Sequence, residues 1–286
     1  MKRTGPEPSL RAQWLGEKLR DLRKRLRIPQ GEASKHIRRN PGMLSRYENG
    51  EIPFRREDVL ALLDFYGVSN EIERNGLLQL CDDIWRKGWW DQHRDDMGSE
   101  FINVPWLEAR TDRINTYQHL LVPGLLQTRE YADAIIRNEA PKRTPEDQIS
   151  RWVDVRVERQ KVLHRESPVQ LSVVLEEVAL LRPVATSGIM ADQLQHLLDR
   201  SLESHIEVLV MPMSGGPHKA QSGSFELFEM PFPYMDVTYI DTVGGSLYIE
   251  EPQVRHIQAV WDSVRGRALT EEDSRALIKR HMEGYQ

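Results

Sequence analysis

One stretch of the sequence, residues 30–48 (QGEASKHIRRNPGMLSRYE), limits the possible folds of this chain more than any other. In its first half, Ala33 and Ile37 lie one helical turn apart, which places both on one side of a helix. Asn40 and Pro41 follow. Asn is a preferred N-cap, and Pro is tolerated best at the first helical position, where its missing N–H would be unpaired anyway. The stretch therefore predicts two short helices joined by a tight turn, with the second helix beginning at Pro41.

On the second helix, Leu44 and Tyr47 are the apolar positions that face inward. Asn49-Gly50 then ends the helix with two residues that tolerate a positive φ. The positions that remain face outward, and they are Pro41, Gly42, Met43, Ser45 and Arg46. Two short helices that cross at a turn, with one face of the second left outward, are typical of a helix-turn-helix.

This stretch resembles the helix-turn-helix of the XRE family, whose regulators are similar to phage repressors. The resemblance is carried by residues that fall in register without a gap: Gln30, Ser34, Asn40, Ser45, Arg46, Glu48, Asn49 and Gly50. It implies an all-α, five-helix DNA-binding domain at the N-terminus. It also implies that the second helix of the motif enters the major groove, where its N-terminal residues meet base edges.

The same resemblance implies roles for single residues. Arg23 on the first helix has the spacing to form a structural ion pair with Glu48, and Gln30 stands where the family binds a phosphate. The expected base-reading residues are Pro41, Gly42, Met43, Ser45 and Arg46. The residues expected at phosphates or in the minor groove are Gln30, Arg23, Arg38, Arg39, Asn49 and Arg56.

The sequence departs from the family pattern at two places. Phage repressors often place Gln at the base-reading positions, whereas this sequence has residues 41–43 (Pro-Gly-Met) there, so readout falls to Ser45 and Arg46. An Arg that binds guanine with two hydrogen bonds is worth about 1 to 3 kcal/mol of discrimination. The alternative role for Arg46 is a phosphate clamp. Arg38 occupies the place of a turn glycine, so either the turn is altered or the side chain was recruited for phosphate.

The charge of the chain is divided unevenly along its length. Residues 1–70 carry 15 Lys and Arg against 9 Asp and Glu, whereas residues 71–286 carry 24 against 35, which gives the whole chain a net charge of −5. Duplex DNA is a polyanion, and much of its affinity for proteins comes from cation release. We therefore expect residues 1–70 to bind DNA and the acidic remainder to stay away from the duplex.

The remainder of the chain mixes helical and strand patterns. We predict the DNA-binding domain over residues 1–70, a connecting helix and linker over 71–100, and a regulatory and oligomerisation domain over 101–286. The last is predicted to be α+β, with a mainly antiparallel sheet covered by helices. Its predicted strands are VQLSVVL, IEVLVM, FELFEM, DVTYID and SLYIEE, the last two joined as a hairpin.

Residues 85–282 resemble the C-terminal domain of unknown function that is attached to many actinobacterial XRE-type regulators. The matching phrases are LVPGLLQTREYA, RVERQ, LRPV, MPMSGGPHKA and GGSLYIEEP. The resemblance implies a transcriptional regulator. It also implies a small partner protein encoded nearby, since some relatives are described as antitoxin-like.

Other classes of function find little support in the sequence. We expect no enzymatic activity, because no Walker A, G-x-S-x-G or H-E-x-x-H motif is present. With a single cysteine, Cys81, we expect no disulfide, no zinc knuckle and no redox pair. We also expect no other metal site and no cofactor. No run approaches the roughly 18 apolar residues of a membrane span, and the N-terminus lacks a signal peptide, so we expect a cytoplasmic protein without membrane contact. The Gly-rich loop at 214–223 is either an anion cradle beside His218 and Lys219 or a mobile surface loop.

Two hypotheses about function remain. In the first, the chain is a sequence-specific regulator of transcription that binds double-stranded DNA as a homodimer on a palindromic operator, and its C-terminal domain senses a protein partner or ligand. In the second, the C-terminal domain is an antitoxin-like module that neutralises a small neighbour-encoded partner, and DNA binding serves autoregulation.

Overall fold

The computed structural model of the protein describes residues 9–93 and 103–285. The chain forms two compact units. The first unit comprises Met1–Trp106 and Pro231–Tyr234, and the second comprises Leu107–Met230 and Met235–Gln286. The predicted domain limits at residues 70 and 100 stay a prediction, and the predicted linker lies in part outside the described residues.

The first unit contains the five predicted helices, which confirms the all-α N-terminal fold. They are α1 (Leu10–Arg25), α2 (Gln30–His36), α3 (Pro41–Glu48), α4 (Arg56–Phe65) and α5 (Glu71–Trp85), followed by a 3₁₀ turn at Trp89–His93. Three of the helices begin at a polar N-cap, because the side chains of Ser9, Asn40 and Asn70 each accept a hydrogen bond from a backbone N–H in the first turn. The core between them is fully buried and includes Leu15, Leu19, Leu44, Phe54, Leu62, Leu63 and Leu80.

Two glycines let α1 and the end of α3 approach closely. A β carbon at Gly16 would lie 2.5 Å from the carbonyl oxygen of Tyr47 and 2.7 Å from that of Glu48. Gly50 has φ +67°, and a β carbon there would lie 2.6 Å from the backbone nitrogen of Gln13. Any side chain at either position would force the two helices apart, so these glycines fix the position of α3 on α1.

The segment Pro231–Tyr234 belongs to the first unit, although it lies far along the chain. Tyr234 donates a hydrogen bond to the carboxylate of Asp83 on α5, and its ring centroid lies 5.3 Å from that of Trp106. Trp106 in turn makes an edge contact with Trp14 of α1, with ring centroids 5.8 Å apart. These rings form a buried aromatic cluster beside α1.

The second unit is built on one six-stranded sheet with the order β3-β2-β1-β4-β5-β6. The strands are β1 (Arg113–Gln118), β2 (Gln170–Glu176), β3 (Ile206–Met211), β4 (Phe225–Glu229), β5 (Val237–Thr242) and β6 (Gly245–Ile249). Two strand pairs, β1 with β2 and β2 with β3, are parallel; the other three are antiparallel. This confirms the mainly antiparallel sheet and the predicted hairpin. The central strand, β1, was missing from the sequence prediction.

The second unit also contains helices, the first of which begins at the end of the first unit. They are α6 (Asn103–Arg110), α7 (Arg129–Glu139), α8 (Glu146–Arg159), α9 (Glu177–Leu181), α10 (Ser187–Arg200), α11 (Val254–Arg265) and α12 (Glu271–Glu283). Trp261 and Val264 of α11 pack on one face of the sheet against Tyr117, Val174 and Phe225. The unit is therefore α+β, as predicted, with an apolar core between α11 and the sheet.

Candidate nucleic-acid interface

The N-terminus of α3 is formed as the sequence predicts. Asn40 has extended backbone angles, and its side-chain oxygen accepts a 2.7 Å hydrogen bond from the N–H of Met43. Pro41 is the first residue of the helix. Leu44 and Tyr47 lie on the buried side of α3. On the other side, Pro41, Gly42 and Arg46 are exposed and Met43 and Ser45 are half-buried, so all five predicted base-reading residues share a surface that solvent reaches.

Arg46 projects from this surface with little to hold it. Its side chain is 56% exposed, and its Nε lies 3.7 Å from the Oε2 of Glu51, which is an ion pair without a hydrogen bond. Exposed pairs of this kind contribute about 0 to 1 kcal/mol, so leaving Glu51 for a base edge or a phosphate costs little.

The turn before α3 keeps the conformation of a turn glycine although Arg38 occupies it. Arg38 has φ +55°, in the left-handed region, and the N–H of Arg39 closes the turn on the carbonyl oxygen of Ser34 at 2.9 Å. A residue with a β carbon costs roughly 1 to 2 kcal/mol there. Of the two alternatives, an altered turn is thus excluded. The exposed Arg38 side chain extends from the turn between the two helices of the motif.

Arg23 and Glu48 form a buried, bidentate ion pair. The Nε and Nη2 of Arg23 donate to the two carboxylate oxygens of Glu48 at 2.6 and 2.7 Å, and its Nη1 donates to the carbonyl oxygen of Ile28. The hydrogen bonds to Glu48 raise the pKa of Arg23. Gln30 also donates to Glu48, at 3.1 Å. Because each nitrogen of the Arg23 guanidinium is engaged inside the domain, we remove Arg23 from the phosphate-binding set.

Arg39 is also held inside the domain. Its Nε and Nη2 donate to the carboxylate of Asp58 on α4 at 3.1 to 3.2 Å, and these hydrogen bonds raise the pKa of Arg39. The hydroxyl of Tyr47 donates to the same carboxylate at 3.4 Å. Arg39 therefore ties the turn of the motif to α4, and we assign it to positioning α3 instead of contacting phosphate.

The remaining predicted phosphate contacts lie at the surface. Asn49 is exposed, and its side-chain oxygen accepts a hydrogen bond from Arg20 at 3.4 Å. Its φ is −90°, so only Gly50 of this pair uses a positive φ. Arg56 donates to the carboxylate of Asp82 on α5, and both side chains are half exposed. The contact with Asp82 uses Nη1 alone, so Nε and Nη2 of the exposed Arg56 side chain can still donate to a phosphate.

Sequence reasoning missed two residues that position the motif. Asp58 accepts hydrogen bonds from both Arg39 and Tyr47. Because acidic residues are common in the first turn of a helix, its place in α4 gave no sign of this role. Gly16 permits the approach of α3 but lies inside α1 without a turn signal. A glycine in a helix interior is a signal for close packing, and it was available in the sequence.

In the Gly-rich loop of the second unit, His218 does not fit the predicted anion cradle. The His218 side chain is 5% exposed, and its Nε2 lies 2.8 Å from the carboxylate of Glu176. The N–H of Ala220 donates to its Nδ1, so the Nε2 hydrogen points at Glu176. Arg267 holds the carbonyl oxygens of Gly215 and Pro217. The loop is thus anchored, and the His218 ring does not face an anion from solvent.

A five-helix domain with a capped, outward-facing third helix after a tight turn defines a helix-turn-helix DNA-binding domain. Residues 14–76 match the family described as Helix-turn-helix domain. Residues 101–280 match the family described as Domain of unknown function (DUF5753), and the chain belongs to this family. Neither a curated protein nor a solved structure matches the chain. The predicted resemblance to an XRE-type regulator with a C-terminal domain of unknown function is confirmed. Of the helices described, none has the length and apolar character needed to cross a membrane.

Proposed function

We propose that this protein regulates transcription by binding a palindromic operator in double-stranded DNA as a homodimer. The helix-turn-helix domain supports DNA binding. The observation that carries the finer proposal is the exposed side of α3, which presents Arg46 and the cap at Asn40 next to a basic turn at Arg38. A helix with this arrangement can lay its N-terminal turns in the major groove while the turn meets the backbone.

The roles within the interface follow from how each side chain is held. Ser45 and Arg46 read base edges, because they are accessible and carry hydrogen-bonding groups. Pro41, Gly42 and Met43 form the apolar or small part of the same surface, which can approach a thymine methyl group. Gln30, Arg38, Asn49 and Arg56 contact the sugar-phosphate backbone and fix the register of the helix.

The proposed dimer follows from the size of the interface. A single small DNA-binding module buries about 600 to 1,000 Å², whereas specific operators are bound with larger interfaces. Two helix-turn-helix domains that share a two-fold axis place their recognition helices on half-sites about 34 Å apart. An inverted repeat is therefore the expected operator.

We further propose that the second unit acts by binding a protein partner or ligand and not by catalysis. The second unit, residues 107–230 and 235–286, carries 27 Asp and Glu against 20 Lys and Arg, and this acidic excess disfavours contact with the duplex. The same acidity favours, as a second candidate, an antitoxin-like unit that holds a basic neighbour-encoded protein. Co-purification of such a protein with the full chain from its native operon tests the second candidate.

Selection of bound duplexes from a random pool, at one fixed salt concentration, tests the main proposal with the full chain. We expect enrichment of an inverted repeat whose half-sites are centred about 10 base pairs apart or a multiple of this. Enrichment of a single half-site would contradict the dimer. Retention of the pool without enrichment would contradict sequence-specific binding.

A further inference from the structure

The face of the sheet opposite α11 carries a row of polar side chains. Thr116 of β1 lies opposite Glu226 of β4, Glu226 lies opposite Tyr239 of β5, and Tyr239 lies opposite Tyr248 of β6. Directly opposed residues in a sheet project to the same side. The next residue on β1, Tyr117, belongs to the apolar core on the other side. A glutamate thus stands in the middle of the sheet.

The charged groups beside this row come largely from α8. Arg159 donates three hydrogen bonds to the carboxylate of Glu108, at 2.6 to 3.2 Å, and both side chains are buried. Burial disfavours the charged form of Arg159, but the attraction and hydrogen bonds of Glu108 outweigh it and raise the pKa of Arg159. The two residues form a closed, neutral pair that needs no further partner.

Glu226 and Arg156 are not closed in this way. Within residues 9–93 and 103–285, the Glu226 carboxylate has neither a hydrogen bond nor an ion pair. Arg156, one turn before Arg159, uses one nitrogen, Nη1, to donate to the Oε1 of Gln127 at 2.9 Å. Both side chains are half-buried, so solvent still reaches them. Their charges act on each other, because Arg156 as well as Arg159 lowers the pKa of Glu226 against burial.

Burial makes both groups costly to keep. It raises the pKa of Glu226 to about 7 and lowers that of Arg156. A carboxylate and a guanidinium that have lost much of their water without gaining hydrogen bonds reduce the stability of the fold. The two opposite charges interact electrostatically but share no hydrogen bond, so a molecule that carries the complementary groups can satisfy both.

Two tyrosines lie next to Glu226 on the same face of the sheet. The rings of Tyr239 and Tyr248 are 5.4 Å apart, and the hydroxyl of Tyr239 lies 3.1 Å from that of Ser246. Ring faces of this kind pack against planar or apolar groups. The site therefore offers a positive group, a negative group and an apolar surface side by side.

We propose that this cluster binds a small zwitterion of the amino-acid type. Its carboxylate pairs with Arg156, its ammonium group pairs with Glu226, and its apolar side chain packs on Tyr239 and Tyr248. The inference deepens the proposed sensing role of the second unit and rests on that proposal only for its regulatory meaning, since binding itself is measured without DNA.

The test uses isothermal titration calorimetry of the full chain with L-phenylalanine as the probe. Two analogues each remove one charged group: 3-phenylpropanoate lacks the ammonium group, and 2-phenylethylamine lacks the carboxylate. We expect saturable binding of L-phenylalanine and at least tenfold weaker binding of both analogues. R156Q and E226Q are each expected to weaken L-phenylalanine at least tenfold. R129Q removes an exposed arginine of α7 and serves as the matched control, which should bind as the wild type does.

Three results would overturn the inference: no saturable binding of L-phenylalanine, equal binding of all three compounds, or unchanged binding in both variants. The analogue comparison on the wild-type chain stands even if a variant fails to fold. Duplex selection with the same protein separates the two proposals. Loss of L-phenylalanine binding leaves the operator result untouched, and absence of an operator leaves the calorimetry untouched.

Discussion

Gly16 of α1 packs against the carbonyl oxygen of Tyr47, and a β carbon at Gly16 would lie only 2.5 Å from that oxygen. We expect Gly16→Ala to destabilise the first unit by about 1 to 3 kcal/mol, because backbone on both sides must move. Gly31 has nothing within 4 Å of such a carbon. Gly31→Ala is the matched control and should gain roughly 0.4 to 1 kcal/mol. Urea denaturation of both variants distinguishes these outcomes, and equal effects would refute the packing argument.

Glu48→Ala leaves the Arg23 guanidinium buried without its partner. We expect a loss of about 3 to 5 kcal/mol, since an uncompensated buried charge is far more costly than a lost surface pair. Asp154→Ala breaks the exposed pair with Arg129 and should cost at most about 1 kcal/mol. The comparison is made by denaturant midpoint at one pH. If Glu48→Ala costs no more than Asp154→Ala, the pair does not hold α1 to α3.

Arg38→Gly separates stability from DNA binding at one position. Glycine relieves the left-handed backbone, so we expect a net gain of about 0.5 to 1 kcal/mol after the entropy of the unfolded glycine is counted. At the same time, the loss of a phosphate contact should lower the salt dependence of DNA binding by about one unit of slope. Arg38→Lys keeps the charge and the backbone strain, so it should change neither the stability nor the salt dependence of DNA binding much. A variant that is more stable and binds DNA with the wild-type slope would exclude the phosphate role.

Arg46→Ala should reduce discrimination between the operator and random DNA by about 1 to 3 kcal/mol and remove the base preference at the position that Arg46 reads. Arg46→Lys tells base reading from a phosphate clamp. A lysine supplies charge to a phosphate but lacks the planar fork that binds guanine with two hydrogen bonds. We therefore expect Arg46→Lys to lose discrimination as well, measured by competition with random duplex. Retained base preference in Arg46→Lys would support the clamp.

Glu226→Gln should change how the stability of the protein depends on pH. The pKa of Glu226 is raised from 4.5 to about 7 in the folded state, so the folded chain binds its proton more tightly than the unfolded chain does. Wild-type stability therefore falls as the pH rises from about 4.5 to about 7 and levels off above it. Glutamine has no proton to lose. As the pH rises from about 4.5 to about 7, the free energy of unfolding of the variant should therefore increase relative to that of the wild type, by about 1 to 2 kcal/mol for a half-buried group. Denaturation of both proteins at several pH values checks this, and parallel curves would disprove it.

The helix-turn-helix was predictable because the residues that define its helix ends are close together in the sequence. Asn40 and Pro41 specify a helix start from adjacent positions, and the helix begins at that residue. Gly50 ends the same segment with a positive φ. Partners that are distant in the chain could not be predicted in this way. Arg39 and Arg56 look like free basic residues, but Asp58 and Asp82 hold them across 19 and 26 residues.

Strand β1 escaped prediction for a related reason. Its sequence, RINTYQ, places Asn115 and Thr116 at positions that are buried in the fold. These polar side chains are satisfied by Glu229 and by the carbonyl oxygen of Phe225, which lie 114 and 109 residues away in the chain. An apolar or alternating pattern is the usual signal of a strand. Because distant partners allow polar residues to be buried in β1, its sequence does not show this pattern.

The place of Pro231–Tyr234 in the first unit has a consequence during synthesis. A ribosome that has made only the first hundred or so residues has not yet delivered Tyr234, the residue that donates to Asp83 and closes over Trp14 and Trp106. The amino-terminal domain is completed only after most of the polypeptide has emerged. Until then the rings of Trp14 and Trp106 lack the cover that Tyr234 gives them in the folded chain.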